Sequence, residues 1–150
     1  MPEHSSVPFE TSSEIVDIDS TQRAPLRILH LGKRGRGVVA GRRIATDELI
    51  ERAPVIIVPE EDRAAVDASS VGAHIFMWEH DTTGQDIYSQ RGRAAVILGF
   101  ASLVNHSSHP NCRVIRHIEA LALDLVALRD IGAGEEITFD YGMTLWFTPE

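Results

Sequence analysis

The residue types that could do chemistry are concentrated in three short segments. The first is Asn105-His106-Ser107-Ser108-His109-Pro110-Asn111, entered from the apolar run Ala94 to Phe100 and the short piece Ala101 to Val104. A run of small, polar and proline residues makes a poor helix and a poor strand interior. Apolar stretches flank it on both sides, and a polar loop held between core segments is where a site is often built. Asn105 and His106 offer amide, imidazole and backbone hydrogen bonds to a polar ligand, and the same residues also suit an ordinary capped turn. The second segment is Glu135-Glu136-Ile137-Thr138-Phe139-Asp140-Tyr141-Gly142. Taken alone, Tyr141 reads as a half-buried edge residue with a wet hydroxyl. The third is Gly32-Lys33-Arg34-Gly35-Arg36-Gly37, where Gly35 and Gly37 let a ligand approach the main chain. It is not a dinucleotide fingerprint, since no helix with a third glycine follows.

Other chemistries fit less well. His106, His109 and Cys112 recur at every third position, but Pro110 stiffens the loop between two of these ligands, and the lone cysteine rules out a cysteine-built zinc site. No metal is expected. A Ser107–His106 hydrolase pair fails because adjacent residues rarely face one another and no nucleophile elbow is present. His74, Phe76, Met77 and Trp78 read most simply as core or rim residues, His30, His80 and His117 as surface or core histidines, and Cys112 as a packed thiol.

These segments need a scaffold, and the rest of the chain supplies short elements. Residues 1–24 are polar with scattered Ser and Thr, and read as a flexible N-terminal arm that docks one short strand. Strands are expected at Leu26 to Leu31, Val38 to Ala40, Leu49 to Val58, Gly72 to Trp78, Asp86 to Tyr88 and Glu135 to Phe139. Val114 to Ile118 and Leu121 to Leu128 suggest a hairpin around Glu119-Ala120. Ala94 to Gly99 is strand or helix; so short a run does not decide. Glu60 to Asp67 suits one or two helical turns. Many short segments with closely spaced turns indicate a mainly β domain.

The chain has 150 residues, one domain's worth, with 43% apolar and 24% charged residues. No apolar run approaches the roughly 20 residues of a membrane span, and the start has no secretory pattern. With a single cysteine, a reducing setting is expected: cytoplasmic, or nuclear for a eukaryote or its virus. The 22 acidic residues against 14 basic ones give a formal charge of −8. This disfavours phosphate-based nucleic-acid binding and suits cationic partners such as Lys-rich protein segments, besides keeping the chain soluble.

Together the three segments resemble the SET-domain lysine methyltransferases. GRGVVA at Gly35 to Ala40, SLVNHSSHPN at Ser102 to Asn111 and GEEITFDYG at Gly134 to Gly142 fall in the family's order at compatible spacing. The similarity spans about Leu26 to Phe147 and is nearest to short stand-alone SET proteins of viral and bacterial type. It implies a SET domain over residues 25–150: a mainly β, β-clip fold of several small sheets, with a C-terminal pseudoknot threaded beneath the Asn105-His106 loop. It implies an S-adenosylmethionine-dependent protein-lysine N-methyltransferase acting on a Lys-containing basic protein or peptide, a histone among the candidates. Tyr141 would be catalytic. Lys33, Arg36, Gly37, Asn105, His106, Tyr141 and Trp146 would contact the cofactor, and His74, Phe76 and Phe139 would line the lysine channel.

The sequence departs from the family in places. Arg36 stands where many members have an aromatic residue, Ser108 replaces the usual cysteine, and His74 stands where short members often have tyrosine. The Cys-rich tail is absent, so Trp146 and Phe147 either cover the cofactor or anchor the C-terminus to the core. A homodimer fits a SET domain lacking the usual flanking pieces. The rival reading is a non-catalytic module of the same fold that docks basic peptides.

Overall fold

A computed structural model describes residues 9–12, 23–78 and 93–140. Ten strands are described. β1 (Phe9–Ser12), β4 (Leu49–Val58), β5 (Ile75–Met77), β6 (Ala94–Ile97), β8 (Cys112–His117) and β9 (Ala122–Ala127) form a six-stranded sheet in the order β1-β8-β9-β4-β6-β5. β2 (Leu26–His30) and β3 (Arg36–Ala40) make an antiparallel pair. β7 (Asn105–His106) and β10 (Thr138–Phe139) make a parallel one. The expected mainly β architecture of several small sheets is what is found.

The core follows from apolar patterning. β9 is buried at every position, and Ile44, Ile50, Leu123, Leu125, Ile131 and Ile137 are sealed from solvent. Across the centre of the sheet Arg52 lies directly opposite Asp124. Its guanidinium donates in a fork to the carboxylate, Nε to Oδ1 at 2.7 Å and a terminal nitrogen to Oδ2 at 2.9 Å. His117 Nε2 donates to the same carboxylate at 2.9 Å. Burial alone would raise the Asp124 pKa; hydrogen bonds from Arg52 and His117 outweigh it and hold the carboxyl below its usual range. This buried charge cluster ties β4, β8 and β9 together.

Three expectations are refined. Gly72 to Trp78 is not one strand: Gly72–His74 is a 3-10 turn and only Ile75–Met77 is extended. The chain turns there over the preceding helix (α1, Arg63–Asp67), and a Cβ at Gly72 would come within 2.7 Å of the Asp67 carbonyl oxygen. Glu135 to Phe139 is likewise not one strand. Its first half hydrogen-bonds β3, with Ala40 N–H on Glu135 O and Ile137 N–H on Val38 O, before Thr138–Phe139 crosses to β7. Ala94 to Gly99 resolves as the strand β6. The hairpin is found as β8 and β9, with Leu121 at positive φ in the connecting turn. The arm contributes β1, parallel to β8. The strand expected at Asp86 to Tyr88 lies outside the described residues.

Candidate active site

Two structures meet at β7. One is the glycine-rich turn. Leu31 N–H donates to Gly35 O, Gly35 N–H donates to Gly32 O, and both Gly32 and Gly35 adopt positive φ, so the turn needs glycine. β3 leaves the turn and brings buried Gly37 against Asn105 so closely that a Cβ there would lie 2.9 Å from Asn105 Nδ2. The Asn105 amide donates to Arg36 O at 3.3 Å and to Glu136 Oε2 at 2.9 Å. Both N–H groups thus serve the protein, and Oδ1 is the side chain's acceptor. Glu136 also pairs with Arg34 of the turn.

His106 follows in β7, registered opposite Phe139. Burial lowers its pKa, only partly countered by Asp140, whose Oδ1 lies 3.8 Å from Nδ1. The imidazole is therefore neutral at neutral pH.

Val104, just before β7, helps wall a narrow cleft with His74, Phe76, Ala101, Ser102 and Phe139, with a free volume of about 20 Å³. That is room for one small group, since a single water needs roughly 10–15 Å³. The Phe76 and Phe139 rings pack 6.0 Å apart at 59°. His74 Nδ1 lies 3.1 Å from Ser102 O. A carbonyl only accepts, so Nδ1 carries the proton and Nε2 is the acceptor in the neutral ring.

The wall from Phe100 to Leu103 is held from below by Glu51. A register shift in β4 falls between Leu49 and Glu51, and Ile50 and Glu51, neighbours in sequence, are both buried. The Glu51 carboxylate accepts Phe100 N–H at 3.0 Å and Ala101 N–H at 2.9 Å. Asn111 does the same for the late segment. Its amide donates to Glu136 O at 2.8 Å, and its Oδ1 accepts Thr138 N–H at 2.9 Å.

The structure thus brings together Gly37, the Arg36 carbonyl, Asn105 and His106, and separately His74, Phe76 and Phe139, with Val104 joining the two groups. The Lys33 and Arg36 side chains are exposed on the turn. Tyr141 and Trp146 lie outside the described residues; Tyr141 is the next residue but one after Phe139. Sequence reasoning missed Glu51, Asn111, Arg34 and Glu136 as site-forming residues. Arg34, Asn111 and Glu136 had a signal, since all three lie inside the quoted segments; Glu51 had none. Among the described residues no cluster of His, Cys, Asp or Glu could hold a metal, and no helix is long and apolar enough to cross a membrane.

A family model described as SET domain matches residues 35–142. The chain belongs to the SET-domain family. The match runs from the glycine turn to the end of the GEEITFDYG segment, the same three segments that converge on β7. Among curated SET relatives, a histone-lysine N-methyltransferase of Schizosaccharomyces pombe, specific for H3 lysine 37, is 29% identical over 129 residues, 85% of this chain and 80% of that protein. An N-lysine methyltransferase of Xenopus laevis is 29% identical over 73% of this chain, which spans only 33% of it. A solved Neurospora SET-domain protein, a histone lysine methyltransferase, superposes with a TM-score of 0.60 at 24% identity, covering 86% of this chain and 56% of that one. This last likeness supports the SET fold.

Proposed function

We propose that this SET domain is a protein-lysine N-methyltransferase that draws its methyl group from S-adenosylmethionine. One observation carries the reading: the acceptor-presenting Asn105 and neutral His106 directly follow Val104, which walls the apolar cleft. Groups able to bind a polar ligand therefore adjoin, along the chain, a narrow cleft, which supports an in-line transfer between two separately bound molecules.

The residues fit the cofactor. Asn105 Oδ1 suits an ammonium donor, and an uncharged His106 does not repel a cation. When bound, S-adenosylmethionine supplies an electrophilic methyl on a sulfonium. The protein's task is to deliver a neutral amine. Lysine titrates near 10.4 when unperturbed, and apolar walls such as Phe76, Val104 and Phe139 disfavour its charged form. Tyr141 orients the amine, and Trp146 and the Lys33–Gly37 turn cover the cofactor. His74 offers Nε2 to the amine from the channel wall. The net charge of −8 suits a basic protein substrate, and the histone-directed relatives favour a histone or a protein like it.

The test is transfer of labelled methyl from S-adenosylmethionine to a panel of Lys-rich proteins by the whole chain. Transfer to lysine is expected, with Tyr141→Phe slowed roughly 100-fold or more and cofactor affinity nearly unchanged. Cofactor binding without transfer to any basic protein would favour the peptide-docking module instead. Full activity in Tyr141→Phe would remove that residue from the catalytic role.

A further inference from the structure

Glu136 lies between the cofactor turn and Asn105, yet no step above uses it. Its side chain is only 16% exposed. Oε1 takes the Arg34 guanidinium from the glycine turn and Oε2 takes the Asn105 amide. Its backbone is fixed on both sides: Val39 bridges it from β3, and its carbonyl accepts the buried Asn111 amide. Gly37 passes beneath with no room for a Cβ, which would come within 3.0 Å of Oε2. One carboxylate therefore ties three chain segments that are distant in sequence.

We propose that Glu136 is a positioning residue that holds the site ready for the cofactor's amino-acid end, and that Arg34 is the latch pinning the glycine turn to it. The inference rests on the reading of this pocket as the S-adenosylmethionine site. An asparagine amide can rotate to present either oxygen or nitrogen. Glu136 accepts only, so it fixes the nitrogen inward and the oxygen outward. The partner that reads this oxygen is a cationic amine. Arg34 acts through charge: it pairs with Oε1 of Glu136, while the Asn105 amide takes Oε2.

The two functions separate by substitution. Glu136→Gln keeps an oxygen for the Asn105 amide and loses the charge that holds Arg34. Glu136→Ala loses both. Arg34→Gln loses the latch alone, at a side chain 38% exposed where refolding of the core is not at issue. The measurement is S-adenosylmethionine and S-adenosylhomocysteine affinity by calorimetry, with thermal unfolding recorded for each variant. Arg34→Gln and Glu136→Gln are expected to weaken binding by a similar factor, about 3- to 10-fold, and Glu136→Ala by about 10- to 100-fold. Adding Asn105→Ala to Glu136→Ala should then cost little more than either alone, because the two act as one unit. The Michaelis constant for a protein substrate should stay within about twofold in all of them. Additive losses in the double variant, or wild-type affinity in Glu136→Ala, would overturn the proposal while leaving the cofactor site intact. A wild-type chain that binds neither compound would overturn the site itself and this inference with it.

Discussion

Removing the Glu51 carboxylate probes how the channel wall is held. Glu51 is 4% exposed and receives two main-chain N–H groups, from Phe100 and from Ala101, itself 2% exposed. In Glu51→Ala both donors lose their acceptor. Each stranded N–H costs about 1–3 kcal/mol, partly offset by no longer burying a charge, for a net loss of about 2–4 kcal/mol. For a chain of this length that lowers the Tm by about 5–15 °C. Glu51→Gln retains one acceptor oxygen and should lose about half as much. Gly99→Ala reaches the same contact from the opposite side, since its Cβ would lie 2.8 Å from Glu51 Oε2. Calorimetric or circular-dichroism melts of the three variants measure these shifts. The turn also supplies Ala101 and Ser102 to the cleft, so methyl transfer should fall more steeply than cofactor affinity. A Tm shift below about 2 °C in Glu51→Ala would show that the turn does not depend on the carboxylate, and would refute the reasoning.

Other perturbations test separate links. Gly37→Ala should weaken S-adenosylmethionine binding by about tenfold or more, since its Cβ collides with Asn105 and the end of Leu31, an overpacking cost of about 1–3 kcal/mol; calorimetry checks this. Asp124 has a folded pKa below its unfolded value, so its stabilisation is complete above the unfolded pKa and is lost as pH falls through the folded one. The urea midpoint should therefore fall with acidification below about pH 4, and less steeply in Asp124→Asn. Burial pushes the Cys112 thiol up to about 12, so a thiol reagent at about pH 8 should label the native chain only as fast as it unfolds. Rapid labelling of folded protein would contradict the buried placement.

The sequence disclosed what local chemistry encodes. The glycine turn, the Asn105-His106 loop and the GEEITFDYG segment are each contiguous in sequence, so each could be read as a motif before its partners were known. Strand β4 was legible over its full span because ten apolar-rich residues lie between a turn and Pro59. What was not legible depends on long-range pairing. Nothing near Glu51 announces that it will serve an N–H pair about fifty positions away, because both donors lie in a segment brought to it only by the tertiary fold. The Glu135 to Phe139 segment looked like one strand because its residues favour extension; that it divides its hydrogen bonds between β3 and β7 is a property of the assembled sheets. His74 was legible as a channel residue by resemblance alone, and its tautomer came only with the Ser102 carbonyl.

The parallel match of β7 with β10 sets an order on how the molecule comes into being. Thr138 pairs with Asn105 and Phe139 with His106, so the residues proposed to hold a methyl donor stay unsupported until the chain has been synthesised past Phe139. Contacts of such high contact order form slowly. A nascent or clipped chain ending before Thr138 would carry the six-stranded sheet and leave β7 without its partner strand, so that support would arrive as one event.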